Sequence, residues 1–259
     1  MNSSNEEIIE VEPLGAGQDV GRSCVIVRLR DKKIMFDVGV HMVYTDMKRL
    51  PDFDYLKKGK HINEVVDVVL VTHFHLDHCG ALPYLTEHHK YSGPILCSTP
   101  TKSMLYYMLD DYRKVVSDQK TEAQSIVNYT VDEIRHCVDM VRPIALYETV
   151  DIDGVKITSY YAGHVLGASM FHVSYQGLSV VYTGDYNSNS DRHLGAAYIP
   201  RLRPNVVLTE TTYATTIRDS KRDRERDMLR YINETLDRGG KVLIPVFALG
   251  RAQELCVLL

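Results

Sequence analysis

The chain has 259 residues, of which 44% are hydrophobic and 25% charged, and carries a net charge of -4. That is ordinary globular composition, long enough for one large core or two domains. It excludes a strongly basic surface, so any nucleic acid would be met by a local patch or by a metal centre.

The first residues, MNSSNEEIIEVE, are polar and acidic and do not make a signal peptide. No apolar run approaches the ~18 residues of a membrane helix. Strands are predicted over Val11–Leu14, Cys24–Leu29, Lys33–Phe36, Val66–Val71, Ile95–Cys97, Val155–Ala162, Met170–Tyr175, Leu178–Tyr182, Val206–Leu208 and Val242–Pro245. Helices are predicted over Gly80–Glu87, Thr101–Ser117 and Val131–Val141. A further one covers Asp219–Leu236, with Met228, Leu229, Ile232 and Leu236 on one stripe. Another helix begins after Arg251 and is still apolar at Leu258-Leu259, so the chain reads as part of a longer protein. Hairpin-rich strands interrupted by helices imply two packed sheets with helices outside, an α/β (α+β) architecture. The glycines of Gly15-Ala16-Gly17-Gln18-Asp19-Val20-Gly21 precede a strand and not a helix. They therefore fail the dinucleotide-binding pattern and read as a turn.

The densest chemical signal is His73-Phe74-His75-Leu76-Asp77-His78, placed directly after the buried-strand pattern Val68-Val69-Leu70-Val71-Thr72. His73 and His75 are two apart, so in extended chain their rings leave on one side, and Asp77 and His78 follow as the chain turns. One ion would not use all four groups; two would. Asp37 follows the strand ending at Phe36, His164 the strand ending at Ala162, and Asp185 the strand ending at Tyr182, each with a glycine close by. Any one of them alone would be a turn former or helix cap. Repeated placement at strand ends implies that the ends converge on one site. His73, His75 and His164 then form a set for one zinc, with Asp185 able to bridge, and Asp77, His78 and Asp185 serve a second. Zinc pairs of this kind, ~3.5–4 Å apart, activate water and clamp a phosphate. The second set is one ligand short. Asp37 is cast as a group that orients a ligand histidine or the bridging water. Cys79 is read as a small buried hydrophobe, because histidines and carboxylates already suffice. With five cysteines and no CxxC pair, the thiols are expected to be reduced, in the cytosol or nucleus.

Asp37, HFHLDH, His164 and Asp185 resemble, in chain order, the four motifs of the metallo-β-lactamase fold, a four-layer αββα sandwich with its metals at one edge of the sheets. Glu210, in Leu208-Thr209-Glu210-Thr211-Thr212-Tyr213, resembles the first acidic motif of the β-CASP nucleic-acid-processing subgroup. Arg238–Glu254 resembles the opening of the inserted β-CASP domain. The resemblance implies a lactamase domain over residues 1–208 and the beginning of a β-CASP domain over 209–259. It also implies two Zn2+ and a zinc-dependent endoribonuclease that hydrolyses a phosphodiester. Asp37, Asp77, Asp185 and Glu210 would be its catalytic residues, and His73, His75, Asp77, His78, His164 and Asp185 its metal ligands. Glu210 would hold a family histidine that protonates the leaving oxygen. That histidine and a further zinc ligand do not occur in these 259 residues, so cleavage by this chain alone is expected to be poor or absent.

Val180–Asn187, Gly195-Ala196-Ala197 and Ala214–Arg222 resemble the Integrator-type branch of the subgroup more than the branch that cuts pre-mRNA before polyadenylation. The implied partners are RNA, an inactive β-CASP homologue and scaffold subunits of a multi-subunit RNA-processing complex, with no membrane. The implied location is the nucleus, with the cytoplasm as a second option. Two rivals belong to other classes. A lactamase-fold hydrolase of a thioester or lactone is opposed by Glu210 and the Ile244–Glu254 segment. A non-catalytic binding subunit is opposed by the intact ligand set.

Overall fold

A computed structural model describes residues 9–118, 126, 129–217 and 219–259. The polar stretch Met1–Ile8 and Arg218, part of the Ala214–Arg222 resemblance, lie outside the described residues. The chain divides into two compact units, Met1–Glu210 and Thr211–Leu259.

In the first unit, β1 (Ile9–Gly15), β2 (Cys24–Leu29), β3 (Lys32–Phe36), β4 (Val68–Leu70), β5 (Ile95–Ser98) and β6 (Val141–Ile144) form a six-stranded sheet in chain order. The second sheet has the order β11 (Val206–Leu208), β10 (Leu178–Tyr182), β9 (Ser169–Tyr175), β8 (Val155–Tyr161), β7 (Thr149–Ile152). Strands β3 to β6 run parallel. In the other sheet β8 and β10 are both antiparallel to β9, and β11 is parallel to β10, so β8, β10 and β11 share a direction.

Side-chain alternation explains the layering. Ile34, Phe36, Val68 and Leu70 point into the core between the sheets, where they meet Ile157, Phe171, Val173, Val180 and Tyr182. Their neighbours Met35, Val69 and Val71 point the other way. There they pack beneath α1 (Phe53–Lys57), α2 (Leu76–Cys79), α3 (Thr99–Asp118) and α4 (Val131–Met140), with Phe53, Leu105, Leu109 and Ile134 closing that core. β4 is therefore apolar on both faces, which is why its sequence is a continuous apolar run. The described residues of this unit supply helices, first sheet and second sheet. The outer face of the second sheet carries Lys156, Thr158, His172 and Ser174.

Three local expectations change. Gly80–Glu87 is not one helix: α2 starts earlier, at Leu76, and after a turn the chain forms a π-helical turn at Tyr84–His88. Pro83 lacks the N–H that a continuous ladder would need. β6 and β7 were not expected. β6 follows α4 directly and contains Pro143, tolerated because β6 ends the sheet. Val242–Pro245 is no strand, since no strand occurs among the described residues of the second unit to pair with it.

The second unit holds α5 (Lys221–Asp237) and α6 (Arg251–Leu258). Ser220 caps α5 by accepting a hydrogen bond from the Asp223 N–H. Lys221 pairs with Glu254 at 3.0 Å, holding the two helices together. No helix among the described residues is long and apolar enough to cross a membrane.

Candidate metal centre

Asp37 and the expected ligands all follow the carboxyl ends of strands that point to one edge of the sandwich: Asp37 after β3, His73 to His78 after β4, His164 after β8 and Asp185 after β10. His73, His75, His164 and Asp185 each place one donor atom within 4.8 Å of the others. His73 Nε2 lies 3.0 Å from His75 Nδ1, and His164 Nε2 lies 3.2 Å from the same His75 nitrogen. Three imidazole nitrogens and a carboxylate oxygen converging at this range are a donor set that fits a metal ion.

Asp185 faces two ways. Its Oδ2 is 3.5 Å from His164 Nε2 and 4.0 Å from His73 Nε2, whereas its Oδ1 is 3.3 Å from His78 Nε2. His78 Nε2 is also 3.5 Å from Asp77 Oδ2. Asp77, His78 and one oxygen of Asp185 thus form a second group of donors beside the first.

Behind these groups lies Asp37, wholly buried and in the left-handed region at φ 60. Its carboxylate accepts hydrogen bonds from the Thr72 N–H at 2.7 Å, the Thr72 hydroxyl at 3.0 Å and the Tyr182 hydroxyl at 3.2 Å. His78 Nδ1 lies 2.8 Å from Asp37 Oδ2, which leaves Nε2 of that ring to face Asp77 and Asp185. Thr72 Oγ1 is in turn 3.0 Å from His73 Nδ1, so the same Thr72–Asp37 pair sets both histidines.

The backbone makes this possible at two glycines. A Cβ on Gly39 would sit 1.6 Å from the Asp77 carbonyl oxygen, so only glycine admits the loop that carries Asp77. Ser23 and Val40 N–H groups donate to the carbonyls of Asp77 and Leu76, at 2.8 and 2.9 Å, and lock α2 onto that strip. Gly184, at φ 52, would drive a Cβ to 2.7 Å from the Thr72 side chain.

Electrostatics differ between the two groups. Burial, helped by the neighbouring imidazoles, pushes His73 well below the ordinary imidazole range. Burial lowers His75, and it takes His164 down to about 4. Burial also opposes charge on His78, but Asp37, Asp185 and Asp77 outweigh it and hold that ring well above the ordinary range. Asp185 is disfavoured by burial yet kept below its ordinary value by His78, His164 and His75. Burial and Asp37 raise Tyr182 well above the phenol range, so it stays a donor.

Glu210 is half-buried two residues beyond β11, whose neighbour β10 leads to Asp185; the two strand ends are tied by the Thr183 N–H donating to the Leu208 carbonyl at 3.0 Å. Cys79 is fully buried, and burial pushes its thiol well up, as for a packing residue. All five cysteines are free. Thr72 and Tyr182 were not singled out from the sequence. The available signal was position: each stands just before a ligand motif, and period-2 alternation with Leu178 and Val180 turns Tyr182 inward.

Over 252 residues (97% of this chain), the chain is 56% identical to the "Integrator complex subunit 11 homolog" of Dictyostelium discoideum and 55% identical to the "Integrator complex subunit 11" of Gallus gallus. It is 40% identical over 253 residues, 98% of the chain, to "Endoribonuclease ysh1" of Schizosaccharomyces pombe. The chain spans 34%, 42% and 32% of the lengths of these relatives. Residues 26–213, which include every candidate ligand and all strands except β1 and the start of β2, match the metallo-beta-lactamase superfamily domain. With its donors gathered at one edge of two facing sheets, the chain belongs to the metallo-beta-lactamase superfamily.

Proposed function

We propose that this chain is the metal-bearing part of a zinc-dependent endoribonuclease of the Integrator type, hydrolysing phosphodiesters of nascent RNA. The observation that carries the reading is the two-sided placement of Asp185, one oxygen toward His73 and His164 and the other toward His78. It fits two ions, one held by His73, His75, His164 and Asp185, the other by Asp77, His78 and Asp185. Zinc so held lowers the pKa of bound water from ~15.7 towards ~7 and polarises a phosphoryl oxygen.

The chain's own residues prepare that chemistry. His73, His75 and His164 are kept neutral by burial and so present lone pairs. Asp37 fixes the ring of His78, while Thr72 and Tyr182 satisfy the rest of its carboxylate. Asp77 and Asp185 supply negative charge that offsets the ions. Glu210, next to the Asp185 strand end, is assigned as a positioning residue on the leaving-group side. The substrate class rests on similarity to proteins named as Integrator subunits and as an endoribonuclease. The pre-mRNA cleavage alternative is related but less similar: two proteins named as cleavage and polyadenylation specificity factors are 49% and 39% identical to the chain, against 55–56% for the Integrator-named ones. A nuclear location and partner subunits follow from the same reading.

The test uses the protein purified from its own cells as it is expressed there, assayed on a labelled RNA. Cleavage abolished by chelation, restored by zinc and lost in Asp77→Ala supports the reading. Cleavage that persists in Asp77→Ala, or turnover of a thioester with none of RNA, contradicts it.

A further inference from the structure

Beside the ligand cluster, the same edge of the sandwich carries an exposed aromatic surface that the hydrolytic chemistry does not use. Tyr147, Tyr198 and Ile199 are 55%, 53% and 64% exposed, and Tyr160 is half-buried among them. The Tyr147 ring packs edge-on against Tyr160 at 6.0 Å and against Tyr198 at 5.6 Å. Edge-on packing fixes the rings without stacking them on each other, so ring faces stay available to a planar ligand.

The backbone beneath is held firmly. Tyr147 adopts φ 65, rare for a bulky residue, and its N–H donates to the Ser159 carbonyl at 2.7 Å. Leu146 and Tyr147 lie in the loop after β6, and Tyr160 near the end of β8, both at the edge where His164 emerges. The Tyr198 N–H donates to the Tyr161 carbonyl at 2.9 Å. Ala197 donates to Asn187 at 2.7 Å and Asn187 to Ala162 at 2.9 Å. The loop bearing Tyr198 is thereby bonded to the segments leading to His164 and from Asp185. Anything resting on this surface is indexed to both ligand loops.

Charge completes the picture. The segment Asp191–Pro204 contains Arg192, Arg201 and Arg203 against a single acid, Asp191, in a chain of net charge -4. All three arginines are exposed. Exposed tyrosines with arginines on the same loop, Arg201 and Arg203 following Tyr198 by three and five residues, are a combination that binds single-stranded nucleic acid, the rings stacking bases and the guanidinium groups meeting phosphates.

We propose that Tyr147, Tyr160 and Tyr198 form a base-stacking platform that holds single-stranded RNA beside the metal centre, with Arg201 and Arg203 on its backbone. This rests on the endoribonuclease reading and adds to it a binding surface outside the ligand set. A protein partner is the competing occupant. The arginines on the Tyr198 loop and the coupling of the surface to two ligand loops favour RNA.

The experiment measures cleavage of a ~20-nucleotide unstructured RNA by the protein purified from its own cells. Wild type is compared with Tyr147→Ala/Tyr198→Ala and with Tyr147→Phe/Tyr198→Phe. The alanine pair is expected to raise KM by about 30-fold or more with kcat little changed, because each of the two lost stacks weakens binding about 5- to 150-fold. The phenylalanine pair keeps the rings and should keep KM. An unchanged KM in a folded alanine variant, while wild type cuts RNA, overturns the platform and leaves the nuclease reading standing. Loss of co-purifying subunits with KM intact also overturns it, assigning the surface to a protein. Wild type that cuts no RNA at all removes the nuclease reading and this proposal with it.

Discussion

Asp37 Oδ2 lies 2.8 Å from His78 Nδ1, and both groups are shut away from solvent beneath the metal centre. The pair is a buried carboxylate and imidazole whose ring is held well above its ordinary pKa, because Asp37, Asp185 and Asp77 together outweigh burial. A raised folded-state value means that, without metal, His78 contributes stability fully below its unfolded value of ~6.5, and that the contribution is lost as pH rises through the folded value. Asp37→Asn keeps the shape and tolerates the left-handed backbone at φ 60, but removes the charge. We expect it to cost the metal-free protein about 3–5 kcal/mol at pH 6, the usual loss on breaking a buried pair, and less at higher pH. Urea denaturation across pH checks this; a cost independent of pH would contradict the assigned charge state.

Zinc uptake should differ between the two donor groups. His73, His75 and His164 are kept neutral by burial, His164 down to about 4, so the first ion displaces little proton near pH 7. His78 is protonated in the metal-free protein and must lose that proton to bind. The second affinity should therefore rise about tenfold per pH unit below the folded His78 value, and it should be the weaker of the two because its group has three donors. Calorimetry in buffers of different ionisation enthalpy counts the released proton.

Gly39→Ala should damage stability and site together. Its Cβ would fall 1.6 Å from the Asp77 carbonyl oxygen, a backbone atom that can move only by lifting α2. A loss of about 3 kcal/mol or more is expected, from overpacking and displaced hydrogen bonds. The second zinc should weaken more than the first, because Asp77 and His78 ride on that segment. Equal loss at both sites in titrations would show that the strip does not position Asp77.

Tyr182→Phe isolates one hydrogen bond. The ring stacks on Phe36 with centroids 4.7 Å apart, and that packing survives, while the hydroxyl that donates to Asp37 is lost. The expected cost is about 1.5–3 kcal/mol, the range for a bond to a charged group. Metal affinity should fall about 10- to 100-fold, as for other groups that orient a ligand. Thermal melts with and without zinc separate the two effects.

What the sequence made readable and what it hid follow from the same physics. His73 to His78 were readable because ligand-type residues are crowded after a strand that is apolar on both faces. Asp37, His164 and Asp185 became meaningful only as a set, because each alone has the appearance of a turn residue. The bonding of Thr72 and Tyr182 to Asp37 was hidden, because it joins residues 35 and 145 apart in the chain. β6 and β7 were hidden by shortness and by Pro143, and Pro83 concealed the break between α2 and the π-helical turn. Val242–Pro245 has strand composition but, among the described residues, no strand to pair with. Composition gives propensity, and a ladder needs a neighbour.

The central claim is that Asp185 joins two metal positions. Anomalous diffraction at the zinc edge, on crystals of the protein grown with zinc, tests it most directly. The account predicts two peaks ~3.5–4 Å apart on either side of the Asp185 carboxylate, one toward His73, His75 and His164 and the other toward Asp77 and His78. A single peak at saturating zinc, or two peaks that do not share Asp185, would contradict it.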